Sequence, residues 1–323
     1  MRRPGNIFIT IAVISAAALS CSKESAESVR CSDIPVSFSA FGRWDESTKA
    51  TTDGNVTAFS SGDRIGIFAY HNDSATPDFM NNQPAQYDGT SWNYSPIKYW
   101  PAAQDDRLSF YAYYPYSSDS HNCISIDGDG GAPTLTYSNP DSDIDLMAAS
   151  APGLTRTGNA SPTVPLPFHH LLAKVRFKFT SETNTDYRPV VHMLKYDVPI
   201  SSGIFSFMTN RWEEYATASE ISRFTKNTSG YAVTEDGIYV DEFTAYLFPC
   251  SFPSKNGAAI GEFKVSLDNV IYKYVPKTVI AVEAGKCYTV NFTVKEDGTE
   301  GKYFIMSFSM WEEGDEEYTG ELK

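Results

Sequence analysis

Apolar residues recur along this chain in short runs of period two, the spacing that sends alternate side chains to one face of a β-strand. Val36-Ser37-Phe38-Ser39-Ala40-Phe41 predicts a strand with Val36, Phe38 and Ala40 toward a core. Residues 64–70, introduced by the turn residues Ser61-Gly62-Asp63, and residues 108–115 predict mostly apolar strands. From Leu171 to Phe179 the alternation is clean. Leu171, Ala173, Val175, Phe177 and Phe179 face inward, while Lys174, Arg176 and Lys178 face outward, the pattern of a sheet with one wet side. Weaker stretches at 92–100 are broken by Pro96 and Pro101 and read as edge pieces. A short strand is expected at 144–149 and loops at 43–57, 73–84 and 152–162. Later strands are expected at 190–198, 203–208, 243–248, 263–267, 271–275, 288–294 and 303–310.

Punctuation and composition agree with an all-β chain. Asp53-Gly54, Asp88-Gly89, Asp127-Gly128, Asp236-Gly237 and Asp297-Gly298 are turn signals between these runs. Aromatics make up 14% of the chain, with 20 Tyr and 20 Phe, and long helical patterns are nearly absent. The 323 residues exceed what one sandwich usually needs, so two domains are expected, 35–165 and 166–323.

The N-terminus adds an address. Met1-Arg2-Arg3 followed by an apolar run over 7–18 is too short to cross a hydrocarbon core of ~30 Å, and reads as a secretory signal over 1–20. Ala18-Leu19-Ser20-Cys21 is similar to the lipobox of bacterial lipoproteins, with Ala18 where that pattern usually has Leu, and makes Cys21 the expected lipidation site. Residues 21–34 are polar and small, a flexible spacer between an outer-membrane lipid anchor and the fold. The formal charge of −14 becomes −16 once Arg2 and Arg3 leave with the signal, which argues against nucleic acid as a partner.

Candidate chemistry is sparse. Cys31, Cys123, Cys250 and Cys287 include no C-x-x-C pair, so zinc-type spacing is absent. Cys250 and Cys287 lie near strand ends in the same half, where a disulfide or two separate buried thiols would both fit. Adjacent His169 and His170 point to opposite faces of a strand and cannot converge on one metal. Asp141-Ser142-Asp143-Ile144-Asp145 imitates the start of a calcium loop, but Leu146 stands where such a loop needs Gly. No nucleophile elbow, zincin motif or phosphate loop is found, so neither an enzyme nor a cofactor is expected. Trp44, Trp92, Tyr94, Tyr99, Trp100 and Trp212 fall beside loops and prolines, where they could stack on sugars or pack in a core. Asp73-Ser74-Ala75 fits a short O-glycosylation pattern of some exported bacterial proteins.

An ordered set of blocks carries a family likeness. They are Phe38-Ser39-Ala40, Gly62-Asp63-Arg64-Ile65-Gly66-Ile67-Phe68-Ala69-Tyr70, Ile97-Lys98-Tyr99-Trp100-Pro101, Phe110-Tyr111-Ala112-Tyr113-Tyr114-Pro115 and Asp145-Leu146-Met147. Phe168-His169-His170-Leu171-Leu172-Ala173-Lys174-Val175 follows, with Gly285-Lys286-Cys287-Tyr288 and Trp311-Glu312-Glu313-Gly314 nearer the end. Their order resembles the fimbrillin family of Bacteroidetes, including its Mfa-like branch. The resemblance implies two transthyretin-like Greek-key β-sandwich domains in tandem and a stalk or tip subunit of a cell-surface fimbria, with other fimbrial subunits as partners. It also implies assembly by donor-strand exchange after Arg-specific cleavage. Arg43 is then the candidate cleavage position, and residues 303–310, with Phe304, Met306, Phe308 and Met310 on one face, the candidate donor strand. The alternative is a non-polymerising surface lipoprotein that binds glycans or proteins of a host or bacterial surface.

Overall fold

The computed structural model describes residues 31–43, 56–57, 59–119, 123–138, 144–158, 162–182, 188–252, 263–274, 280–297 and 301–310. Nearly every element is a strand. The first are β1 (Cys31–Pro35), β2 (Ser37–Arg43), β3 (Val56–Thr57), β4 (Arg64–His71), β5 (Met80–Tyr87), β6 (Trp92–Asn93), β7 (Tyr99–Pro101) and β8 (Arg107–Tyr114). They continue as β9 (Ile124–Asp127), β10 (Thr134–Ser138), β11 (Met147–Thr155), β12 (Thr163–His170), β13 (Ala173–Glu182), β14 (Val190–Ser206) and β15 (Arg211–Ala232). The last are β16 (Ile238–Tyr239), β17 (Ala245–Leu247), β18 (Cys250–Phe252), β19 (Phe263–Leu267), β20 (Val270–Tyr274), β21 (Ile280–Val282), β22 (Cys287–Asp297) and β23 (Gly301–Met310).

The largest sheet runs β3-β2-β12-β11-β8-β4-β5-β6. Its pairings are antiparallel except β2 with β12. In its middle, β4 buries every residue from Ile65 to Tyr70, because both faces of the sheet are covered. Ile65, Ile67 and Ala69 join Leu108, Phe110, Ala112, Met147 and Ala149 in an N-terminal core closed by Trp100, Val164, Leu166 and Phe168. Phe68, Tyr70, Tyr111, Tyr113 and Ala148 point the other way, into a second core shared with Leu135, Tyr137, Phe205, Phe207 and Phe248.

That second core is a junction between chain halves. The β9–β10 hairpin pairs with β14, far ahead in sequence, through registers such as Leu135↔Phe205 and Tyr137↔Gly203. β15 follows β14 along one edge, so β14's other edge is taken first by β19, at Val191 to Tyr196, and then by β10. A third sheet runs β16-β13-β22-β23, with β17 also on β13. Between it and β14–β19 lies the C-terminal core, built on Ala173, Val175, Phe177 and Phe179 with Val290, Phe292, Leu194 and Val265.

The strong alternations form strands where expected; β9, β10, β12 and β15 fall where no strand is expected, and further details differ. Residues 80–84, expected within a loop, belong to β5, where Pro84 pairs with Gly66 on β4 while β6 touches only Gln86 and Tyr87. Pro84 is tolerated there because, among the described residues, no strand pairs with the other edge of β5 at that point. Residues 152–155 lie in β11 rather than a loop, beyond a bulge between Ala151 and Leu154. Leu171, expected at the head of the next strand, is instead buried with Leu172 in the junction core, and the strand proper starts at Ala173. Residue 165 lies inside β12, which stays in the N-terminal sheet to His170.

Phe177 is the hub of the C-terminal core, 1% exposed, with Tyr196 and Phe292 stacked at 5.8 and 6.4 Å and Phe263 edge-on at 6.3 Å. Phe177→Ala is expected to cost about 3–5 kcal/mol. Urea unfolding checks this: the midpoint should fall with the slope unchanged, and an unmoved midpoint would contradict the assignment.

Candidate assembly site

β2 is held to the sheet chiefly by β12. β2 runs parallel to β12 over seven register positions, Thr163↔Ser37 to His169↔Arg43, and meets β3 only at Gly42 and Arg43. Val36 and Phe38 are buried, and Phe38 sits edge-on to Tyr94 at 5.5 Å and to Phe110 at 5.8 Å. The Tyr94 hydroxyl donates to the Val36 carbonyl at 2.7 Å, and the Val36 amide donates to Lys98 O at 2.9 Å. Ser37 Oγ and Thr163 Oγ1 lie 2.9 Å apart across the ladder.

β12 carries Pro165 and Pro167, which remove two backbone donors. β11 reaches β12 only at His169 and His170, so, among the described residues, 163–168 have β2 as their single neighbouring strand. Residues two apart present their amides to the same edge. The ladder to β2 therefore keeps its donors only if both prolines face away from it.

Arg43, the candidate cleavage position, is the last residue of β2, and its backbone is registered to His169 and Val56. A cut after it would separate β1 and β2 from the rest of the chain. Cys21 lies outside the described residues, as do Trp44, the rest of the 44–55 segment and Asp141 to Asp143. At the other end, β23 pairs antiparallel with β22 from Asp297↔Gly301 to Tyr288↔Met310. Phe304, Met306, Phe308 and Met310 stand in register with Val294, Phe292, Val290 and Tyr288, all core residues. Among the described residues β22 is the only strand paired with β23.

The other sequence candidates resolve into packing. Trp92, Tyr94 and Trp100 are buried in the N-terminal core, with Trp100 Nε1 donating to Pro162 O at 3.0 Å, so they offer no platform for sugars. Trp212 donates to Leu171 O at 2.8 Å and packs on Phe248 at 4.8 Å. Of these aromatics Tyr99 alone among the described residues is openly exposed. The side chain of His170 is fully buried with Nδ1 2.6 Å from Asp145 Oδ1, while His169 packs against Phe205 at 6.3 Å. Cys250 and Cys287 are separate thiols, and burial pushes the Cys250 thiol up to about 12. The β2–β12 pairing itself lay beyond sequence reasoning, because β12 reads as Thr-Val-Pro-Leu-Pro-Phe and its prolines mask an otherwise regular alternation of buried and exposed residues.

A largest sheet covered on both faces along its central strands, β2 parallel to β12 near one sheet edge and β23 on the edge of another sheet define an all-β sandwich protein. The fimbrillin-like family model matches residues 48–306, and the chain belongs to that family. It is 28% identical over 264 residues to the fimbrium subunit Fim1C of Phocaeicola vulgatus, covering 66% of this chain and 69% of that one. Over 154 residues it is 37% identical to a Bacteroides ovatus protein provisionally named fimbrium tip subunit Fim1C, covering 43% of this chain but 28% of that one. Among solved structures, a fimbrial protein of Bacteroides vulgatus aligns with a TM-score of 0.54 at 22% identity, over 77% of this chain and 93% of that chain. A protein of Bacteroides ovatus provisionally named a cell adhesion protein aligns with a TM-score of 0.56 at 18% identity, over 87% and 99%. These structural likenesses are ones of fold.

Two outcomes follow from the geometry. Phe38→Ala empties the pocket between Tyr94 and Phe110 and is expected to cost about 3 kcal/mol, with faster amide exchange confined first to β2 and β12; exchange unchanged in both strands would refute the anchor role. Burial lowers the His169 pKa, His170 adds to the shift, and a hydrogen bond with Asn210 opposes it. A histidine so depressed is neutral when folded and takes up its proton on unfolding. Its contribution is therefore present above about pH 6.5 and lost as pH falls through the folded value. His169→Gln should flatten the acid-side fall in urea midpoints, and an unaltered slope would count against this.

Proposed function

We propose that the chain is a structural or adhesive subunit of a cell-surface fimbria, non-enzymatic, exported as a lipoprotein through Cys21 and added to other fimbrial subunits by donor-strand exchange. The observation that carries this reading is the β2–β12 pairing. Loss of β2 would leave an unpaired strand edge beside the vacated sites of Val36 and Phe38, a surface that demands another strand. Family membership and the fimbrium subunit relative of Phocaeicola vulgatus support the same role. In this scheme cleavage after Arg43 sheds tether and strand together, and the segment bearing Phe304, Met306, Phe308 and Met310 fills the groove of a neighbour. Residues 35–165 and 166–323 would act as its two sandwich domains, the first accepting and the second donating.

A second reading has its own support. β23 is registered with β22 at every position from Gly301 to Met310, which favours a subunit that keeps its last strand and stays on the surface without polymerising. Treating the purified full chain with an Arg-specific protease separates the two. For the polymerising subunit, mass spectrometry should show loss of residues through Arg43, and denaturant-resistant ladders should form. A Phe308→Asp chain should still be cut but give no ladder. A chain cut after Arg43 that remains monomeric would sink strand exchange and leave the second reading.

A further inference from the structure

The tripeptide Ser-Phe-Ser occurs twice in the chain, at 37–39 within β2 and at 307–309 within β23. Its surroundings correspond too. Aligned on the tripeptide, Ile34, Val36, Phe38 and Ala40 stand against Phe304, Met306, Phe308 and Met310, an apolar series of period two in each case. That spacing suits one face of a strand. The two segments have different neighbours and opposite senses, for β2 lies parallel to β12 and β23 antiparallel to β22.

What holds β2 in place is largely chemistry that the second segment also carries. Phe38 is 6% exposed, edge-on to Tyr94 and Phe110, and Phe308 supplies the same ring. Ser37 Oγ lies 2.9 Å from Thr163 Oγ1, and Ser307 supplies the same hydroxyl. At residue 36 the grip is on the main chain: the Tyr94 hydroxyl donates to its carbonyl at 2.7 Å, and its amide donates to Lys98 O at 2.9 Å. Any residue except proline keeps both bonds, and the aligned residue is Met306. Methionine, unbranched and flexible, adapts to the Val36 site, and partly buried Ala40 leaves an outlet for Met310.

Met306 to Met310 reads the same in both directions, so the flanking residues set the sense. Parallel to β12, as β2 runs, Phe304 falls on the exposed apolar position of Ile34. Reversed, Phe304 falls on the buried Gly42 and Glu312 on Ile34, so both flanks conflict. In the parallel sense only Glu312 meets Gly42, and pairing ends at Met310.

Resting on the strand-exchange reading of the function, we propose that the groove vacated by β2 accepts residues 304–310 of a second copy of this chain in one register. That register is parallel to β12, with Phe308 in the Phe38 site and Ser307 opposite Thr163. The last strand repeats the first, so the chain selects its own kind as partner.

The test uses the full chain carrying Thr163→Cys and a site for a sequence-specific protease inserted after Arg43, so that natural cleavage is not required. Peptides of residues 301–314 bear Ile305→Cys, Ser307→Cys or Ser309→Cys. Side chains that meet at 2.9 Å across a ladder are within disulfide range. After the cut, the Ser307→Cys peptide should bridge to residue 163 about tenfold faster than the other two, and the uncut chain should give no bridge. Adding Phe308→Ala to that peptide should slow bridging about tenfold or more. On the cut chain with Thr163 intact, the unmodified peptide should displace the cleaved strand, as read by mass. Faster bridging through residue 309, the mark of a reversed strand, or through residue 305, the mark of a slipped one, would overturn the proposal. So would no bridging at all, or a cleaved strand that the peptide cannot displace. Ladders formed without a bridge at 307 would leave strand exchange standing and this register refuted; a bridge at 307 without ladders would keep the register and sink polymerisation.

Discussion

The constraint on which the rest depends is burial of the central strands on both faces. Along β4, Ile65, Ile67 and Ala69 enter one core while Phe68 and Tyr70 enter another, and β8 repeats the division with Phe110 against Tyr111 and Tyr113. Burying a large apolar side chain is worth about 1.5–3 kcal/mol, and here it is collected on both sides of one backbone. A slip of one residue would exchange the two rows, pressing tyrosines into the small-residue side. Register is thus fixed twice over. The surrounding elements, the β2–β12 ladder included, are placed relative to strands held in this register.

The second core also ties the chain halves together. Leu135 and Tyr137 come from the first half, Phe205 and Phe248 from the second, and the β10–β14 ladder joins their backbones. Leu171 and Leu172, at the crossing between sheets, are buried in the same place. The connection is therefore packed and hydrogen-bonded, quite unlike a string of polar linker residues, and a force applied at one end of the chain is carried by side-chain contact as well as by covalent bonds.

Much of this was legible in the sequence where one physical signal dominated. The alternation over 173–179 returned a strand with its lysines and arginine outward because one face is core and one is solvent. Asp88-Gly89 closes the β5–β6 hairpin, with Asp88 capping the amides of Thr90 and Ser91. The turn at Asp268-Asn269 carries no glycine, yet both residues adopt positive φ, so it escaped a search for Asp-Gly pairs. The prolines hid β12 and part of β5, since their meaning depends on which edge has a neighbour. Trp92 and Trp100 take the core alternative, which position beside a proline does not decide by itself.

The two prolines of β12 have a consequence for valence. A strand with donors on both edges can recruit neighbours on either side, and a protein displaying one would grow into two-dimensional sheets. If residues 165 and 167 face away from β2, the 163–168 part of β12 offers donors on one edge only, the edge that β2 occupies, and β11 takes the other edge no further than His169 and His170. Whatever strand lies there, only one can do so, and the surface is monovalent. Any assembly built through it is a line without branches.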